Sequence, residues 1–354
     1  MTDATLDHLP RSPNVWLQAW KRLRNDRVGM ASLVVTGLFL LLVLATLTGL
    51  VAKDWHEEVG VPFAPPHFVG KSTDVQQSST AADTRKLVDL SDIDPLAPRY
   101  AEWAERASKI QMVSVAKSDT LPFGGDRLGR DVLSKALKGA QVSIVVGLAA
   151  AVLATLIGTV LGALGGYFGG RIGDFLEWVY NVFTSVPYIL LVFALAALFK
   201  SGPLAHTLGN SVWTVVIILS VVGWTGIYRL VRAEYIKHRS REYVRAAEAI
   251  GASHSTRMFT HILPNISHVV LVQLSLHVVS FIKAEVILSC LGLGVPIDMV
   301  SWGIMLSEAQ TELVLGKWWQ LVAATVFMAS FVTAFALILG ASTVTLSPWP
   351  CRFW

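Results

Sequence analysis

The sequence predicts an all-α membrane protein with about six transmembrane helices and one short amphipathic helix between the fourth and fifth of them. Composition points there first: of 354 residues, 53% are hydrophobic and only 15% charged, and the mean hydropathy is +0.54. A soluble domain of this length carries far more charge. Six apolar runs then have the length that a bilayer's hydrocarbon core demands of a helix, and basic residues gather beside particular ones.

The runs cover roughly 28–52, 142–167, 176–199, 212–231, 266–293 and 320–341. With no water inside the bilayer to satisfy peptide groups, each is expected to be a helix. Residues 1–27 precede the first run and carry Arg11, Lys21, Arg22, Arg24 and Arg27. The first run is longer than a signal peptide core and lacks a small-residue cleavage site before Lys53 and Asp54, so it reads as an anchor. A polar insertion, 53–138, follows and is expected outside, since long loops cross the membrane regardless of charge. The loop 232–265 carries Arg232, Lys237, Arg239, Arg241, Arg245 and Arg257. Positive charge near span ends places both this loop and the amino terminus in the cytoplasm, and an even span count puts the carboxyl terminus there too.

Several function classes lack their residues. The net charge of +4 is modest and the basic residues are not interleaved with aromatics, which argues against nucleic-acid binding. Cys290 and Cys351 are too few and too differently placed for a disulfide framework or a metal site, and no cofactor is expected. Gly70-Lys71-Ser72 has the ending of a phosphate-binding loop, but Pro65 stands where the leading glycine belongs. No other Gly-Lys-Ser/Thr element appears, so any ATP is expected to be hydrolysed by a different chain. A membrane-embedded enzyme would need converging ligands or nucleophiles in the insertion, which offers only His56 and His67 as histidines.

Residues 241–264 read REYVRAAEAIGASHSTRMFTHILP. On a helix Tyr243, Ala246, Ala247 and Ile250 form one apolar stripe, with Arg241, Arg245 and Glu248 opposite. Gly251 can close such a helix in the left-handed conformation, and Pro264 disfavours helical geometry at Leu263 before the next run. Spacing alone leaves two readings open: a helix that docks on a partner, and one that lies on anionic headgroups.

This segment resembles the cytoplasmic "EAA" loop of ABC-importer permeases, through Ala246, Ala247, Gly251, Ile262, Leu263 and Pro264. The chain departs from the motif at its glutamate, where Arg245 stands, and the nearest acid is Glu248. A second match is PFGGDRLGRDVLSKALKGAQVSIVVG at 122–147. Further ones are Gly165 to Gly170, Ser185-Val186-Pro187, Ala284-Glu285, Leu288-Ser289, Leu291 to Gly294 and Ser301-Trp302-Gly303. Together these cover most of 20–335, and they look like the second permease subunit of the dipeptide/oligopeptide branch. The tail ASTVTLSPWPCRFW, including 342–354, lacks the charged ending such chains have; divergence and a shifted reading frame would both produce it.

The resemblance implies a type I ABC-importer permease fold in a bacterial inner membrane. It implies half of a transmembrane path for peptides, shared with a homologous permease subunit in a heterodimer. Two ATPase subunits would bind the coupling helices, and an external solute-binding protein would deliver the substrate. Arg245 and Glu248 would orient the ATPase contact while Gly251 turns the chain beside it. Permeases of this branch also move metals such as nickel, or peptide-like antibiotics. A membrane scaffold is the competing class, and it requires that substitution of Gly251 be neutral toward any ATPase.

Three single features have two readings each. Gly158, Gly162, Gly166 and Gly170 recur every fourth residue and make a smooth helix face, expected to pack against another span or the partner subunit. Lys283 and Glu285 lie in the fifth run and are candidates for lining the substrate path. The preferred alternative has both near the outer end of the span and snorkelling, because Gly292 and Gly294 announce its end; His277 reads as a packing residue. Trp302, also a pathway candidate, reads first as an interface anchor, like Trp318 and Trp319. The family resemblance adds a helix near Trp302 that lines the outward exit.

Overall fold

Among the described residues of the computed structural model, five helices are long and apolar enough to cross a membrane, and one further pair makes a sixth span if counted together. The structure describes residues 24–70, 96, 99–109, 117–201, 211–296 and 298–346. The basic segment up to residue 23, Lys71-Ser72, the acidic run at 89–94 and the tail from 347 lie outside the described residues. The chain divides into two units, one formed by 1–53 with 134–354 and the other by 54–133.

In the membrane unit α1 (Arg27–Leu47) starts at Asp26, whose carboxylate accepts from the Val28 amide at 3.0 Å. Its buried face is small and hydroxylic: Gly29, Ser32, Thr36 and Thr46 with Val43. Ser32 and Thr46 donate to carbonyls one turn back, which satisfies them without a partner helix and lets α10 (Trp319–Leu346) approach. Phe39 closes the α1–α10 contact edge-on to Phe327 and Phe331, with ring centroids 6.2 and 5.3 Å away.

The centre of the unit is α3 (Val132–Phe168) against α6 (Val212–Arg239). A Cβ on Gly158 would lie 2.6 Å from the Trp224 carbonyl oxygen, on Gly162 2.8 Å from that of Tyr228, and on Gly166 2.6 Å from that of Arg232. The glycine face of the second span therefore packs on another span of the same chain, and only glycine allows this backbone approach. Gly170 does not take part; it has φ +48° and opens α4 (Gly170–Thr184). The most enclosed span is α6, with 61% of its apolar window buried, against 22% for α1 and 17% for α10. The last two thus sit at the periphery.

Two expectations fail in instructive ways. The third apolar run is not one straight helix: α4 and α5 (Tyr188–Ser201) meet at 87°. Pro187 lacks the amide that would bond back into α4 and restricts Val186, so α4 stops at Ser185 and α5 restarts on the Pro187 carbonyl. At the other boundary Leu263 is helical, with φ −53° and ψ −44°, despite preceding Pro264. A π-helical segment, Thr256–Ile262, runs straight into α8 (Leu263–Cys290). The Leu263 amide bonds five residues back to Met258, and this wider turn makes room for the proline ring in the first turn of α8.

The inserted unit is held by turns and isolated bridges; among its described residues the one helix is α2 (Tyr100–Lys109). Its organising group is Asp126, fully buried, whose carboxylate accepts from the amides of Leu128 and Arg130 and from the Arg130 guanidinium at 2.6 to 3.0 Å. Gly129 follows with φ +78°, and a Cβ there would stand 2.0 Å from the Gly60 carbonyl oxygen. The Gly-Asp-Arg-Leu-Gly-Arg stretch is thus a built turn. Gly129→Val should destabilise this unit by on the order of 3 kcal/mol, seen as faster hydrogen exchange at 58–66 and 118–131 in the full chain.

Candidate functional site

The loop between α6 and α8 carries one helix, α7 (Glu242–Ala249), entered through extended Arg241 with Glu242 in its first turn. It ends in a Schellman arrangement: the Gly251 amide bonds to Glu248 at 2.9 Å and the Ala252 amide to Ala247 at 3.0 Å, with Gly251 at φ +82°. No other residue enters that conformation without strain.

The inner face of α7 is Val244 and Ala247, 2% and 5% exposed, and Val244 packs with Tyr235 of α6 and Met258 and Ile262 of the π segment. Sequence periodicity grouped Ala247 with Tyr243, Ala246 and Ile250 and passed over Val244. In the structure those three are exposed, Ile250 at 85%. The loop is fastened to the spans by the Tyr235 hydroxyl donating to the Met258 carbonyl at 3.1 Å and by Arg239 donating to the Tyr167 carbonyl at 2.9 Å. Glu248 pairs with Arg257 at 2.7 Å, and Arg257 donates to His254, which also meets the Tyr167 hydroxyl. Glu248 therefore braces α7 against the π segment, a role its position opposite the stripe did not reveal. Burial pushes the Tyr243 phenol above its ordinary range, opposed by its hydrogen bond to Asn265 and by Arg241.

The remaining predicted residues divide. Arg245 and Ala246 face solvent, as do Gly251 and Pro264, while Ile262 is buried and Leu263 half-buried. The result is a clamped helix with a free outer face of Arg245, Ala246, Ala249 and Ile250. Its contacts to α6 and the π segment are packed at Val244, hydrogen-bonded between His238 and Tyr243 and ion-paired between Glu248 and Arg257.

Glu285 and Trp302 are each 0% exposed, which corrects the reading of both as interfacial. Serine hydroxyls replace water around Glu285: Ser289 and Ser143 donate to it at 2.7 and 2.8 Å. Trp302 opens α9 (Trp302–Val314), and its indole donates to the Ala136 carbonyl at 3.1 Å, so the ring is satisfied inside the protein rather than at a headgroup. Lys283, two residues from Glu285, is on the exposed side of α8 and does not share that site. His277 stacks on Phe281 with centroids 5.1 Å apart and meets the Thr155 hydroxyl at 3.1 Å.

Residues 135–348, more than half of the chain and containing all of these sites, match the family model described as binding-protein-dependent transport system inner membrane component. The chain belongs to that family. This transport-system component is 31% identical over 320 residues to the dipeptide transport system permease protein DppC of Bacillus subtilis, covering 90% of this chain and 81% of that protein. It is 35% identical over 225 residues to the oligopeptide transport system permease protein OppC of Escherichia coli K12, covering 63% of this chain and 72% of the other. Among solved structures an inward-facing MetNI methionine ABC transporter aligns with TM-score 0.46 at 15% identity, over 58% of this chain and 95% of that one. As a member of this family the chain is a multi-pass membrane component of a transport system, not one of a family of enzymes.

Proposed function

We propose that this chain is the permease subunit of an ATP-driven peptide importer and supplies half of the transmembrane path. The observation that carries this reading is α7, clamped on its inner side by Val244, Ala247 and the Glu248–Arg257 pair and open on its outer side at Ile250. A helix that merely rested on lipid would have no use for a rigid brace to two spans. A separate ATPase presses on the outer face; α7 transmits the displacement through Tyr235 and Met258 into α6 and α8. Gly251 turns the chain so that the helix end stays accessible.

The assembly is a heterodimer with a homologous permease, carried on two ATPase subunits and fed by an external solute-binding protein. Both termini and the 232–265 loop lie in the cytoplasm of a bacterial cell, with the inserted unit outside. Peptide as the substrate follows from the dipeptide and oligopeptide systems of the relatives. The test is reconstitution of this chain with its four partners in liposomes with ATP inside. Labelled di- or oligopeptide is expected to accumulate; nickel or a peptide-like antibiotic accumulating in its place would overturn the substrate.

A further inference from the structure

Glu285 sits in the middle of α8's outer half with no water-exposed surface, and its surroundings repeat one device three times. Ser289, on α8 itself, donates to one carboxyl oxygen at 2.7 Å while accepting from the Val295 amide at 3.2 Å. Ser143, on α3, donates to the other oxygen at 2.8 Å while accepting from the Trp302 amide at 3.2 Å. Ser301, the N-cap of α9, hydrogen-bonds the same carboxyl while accepting from the Ile304 amide at 3.2 Å. Each hydroxyl thus relays the carboxyl to a backbone amide, and two of those amides belong to the first turn of α9.

The steric fit agrees with the hydrogen bonds. A Cβ on Gly303 would lie 2.6 Å from Ser289 Cβ and 2.9 Å from Val286 Cα. One on Gly139 of α3 would touch the Ser301 carbonyl carbon and Trp302 at 3.3 Å. The start of α9 is therefore wedged against both spans at backbone distance, with Trp302 bonded to Ala136 of α3. A buried polar network of this kind has one good arrangement, and separating its members would strand a carboxyl and several amides away from water.

We propose that Glu285 is a positioning residue for the transport cycle: its carboxyl ties the amino-terminal end of α9 to α3 and α8, so that all three travel as one body and α9 does not open as a separate gate. This rests on the importer reading above, which supplies the cycle. The test uses the full complex with spin-labelled unnatural amino acids at Val314 on α9 and Leu271 on α8, both exposed in this chain. The distance between them is compared in the nucleotide-free and vanadate-trapped states.

A distance that holds to within about 2 Å between the states is expected, whereas a change above about 5 Å would overturn the proposal, being the scale of a one-turn slide. Glu285→Ala should broaden the distribution and lower substrate-stimulated ATP hydrolysis about 10-fold, and an unchanged distribution and rate would equally overturn it. Should that variant not assemble, the pair Ser143→Ala with Ser289→Ala is read in the same two ways. Failure of the unsubstituted chain to join any ATPase is a different result, which removes the importer reading itself.

Discussion

Gly162→Leu should prevent recovery of folded protein from the membrane. A side chain at this position begins 2.8 Å from the Tyr228 carbonyl oxygen and 2.9 Å from Val231 Cβ, inside any normal contact distance. Neither α3 nor α6 can yield locally, because Gly158 and Gly166 hold the same two backbones together one turn above and below. Lipid is as apolar as leucine, so nothing but packing holds these spans together, and forcing them apart forfeits the whole seam. Overpacking of a well-filled site costs about 1–3 kcal/mol for added methylenes, and a leucine against backbone exceeds that range. Gly226→Leu on α6 is the matched control, because a Cβ there meets nothing within 4 Å. Yield of monodisperse protein in detergent should fall sharply for Gly162→Leu, whereas yield and thermal midpoint should both stay near wild type for Gly226→Leu.

Ile250→Glu should leave the chain folded and inserted but lower substrate-stimulated ATP hydrolysis of the assembled importer at least about 10-fold, through loss of an interaction made across the partner interface. Ile250 is 85% exposed, so its replacement removes no internal packing. A carboxylate at the exposed apolar end of this docking face must instead be desolvated or pushed aside. Val244→Glu, at a position 2% exposed, gives the opposite pattern: the loop itself loosens, and the defect appears in the isolated chain as faster exchange at 242–262. Comparing the two separates the outer face of α7 from its inner clamp.

The long spans were legible because each is a continuous apolar run whose period does not matter in lipid. The glycine ladder was legible as a packing face, though not its partner, since spacing says where backbones can meet and not which ones do. The bend at Pro187 was missed because hydropathy is blind to a missing amide inside an apolar run. The start of α3 at Val132 lies ten residues before the apolar run expected there, because Lys135 and Lys138 interrupt it. Lys135 is ion-paired with Glu308 far along the chain, and Lys138 donates to the neutral Gln141 side chain and the Thr46 carbonyl. Glu285 was misplaced for a related reason. A carboxyl near the end of a span ordinarily reaches for water, and only the convergence of serines from α3, α8 and the α9 cap lets this one stay inside. On the loop, Gly251 announced the helix end, whereas the split between Val244 and Ile250 depended on how α6 and the π segment pack beneath it.

The most direct test places a photo-crosslinking amino acid at position 250 in membranes that contain the sister permease and the ATPase. Outward-facing Ile250 predicts a crosslinked adduct between this chain and the ATPase, strongest in the assembled importer. Adducts with lipid alone, with no ATPase captured under conditions where it is present and folded, would contradict the account and return α7 to the membrane surface.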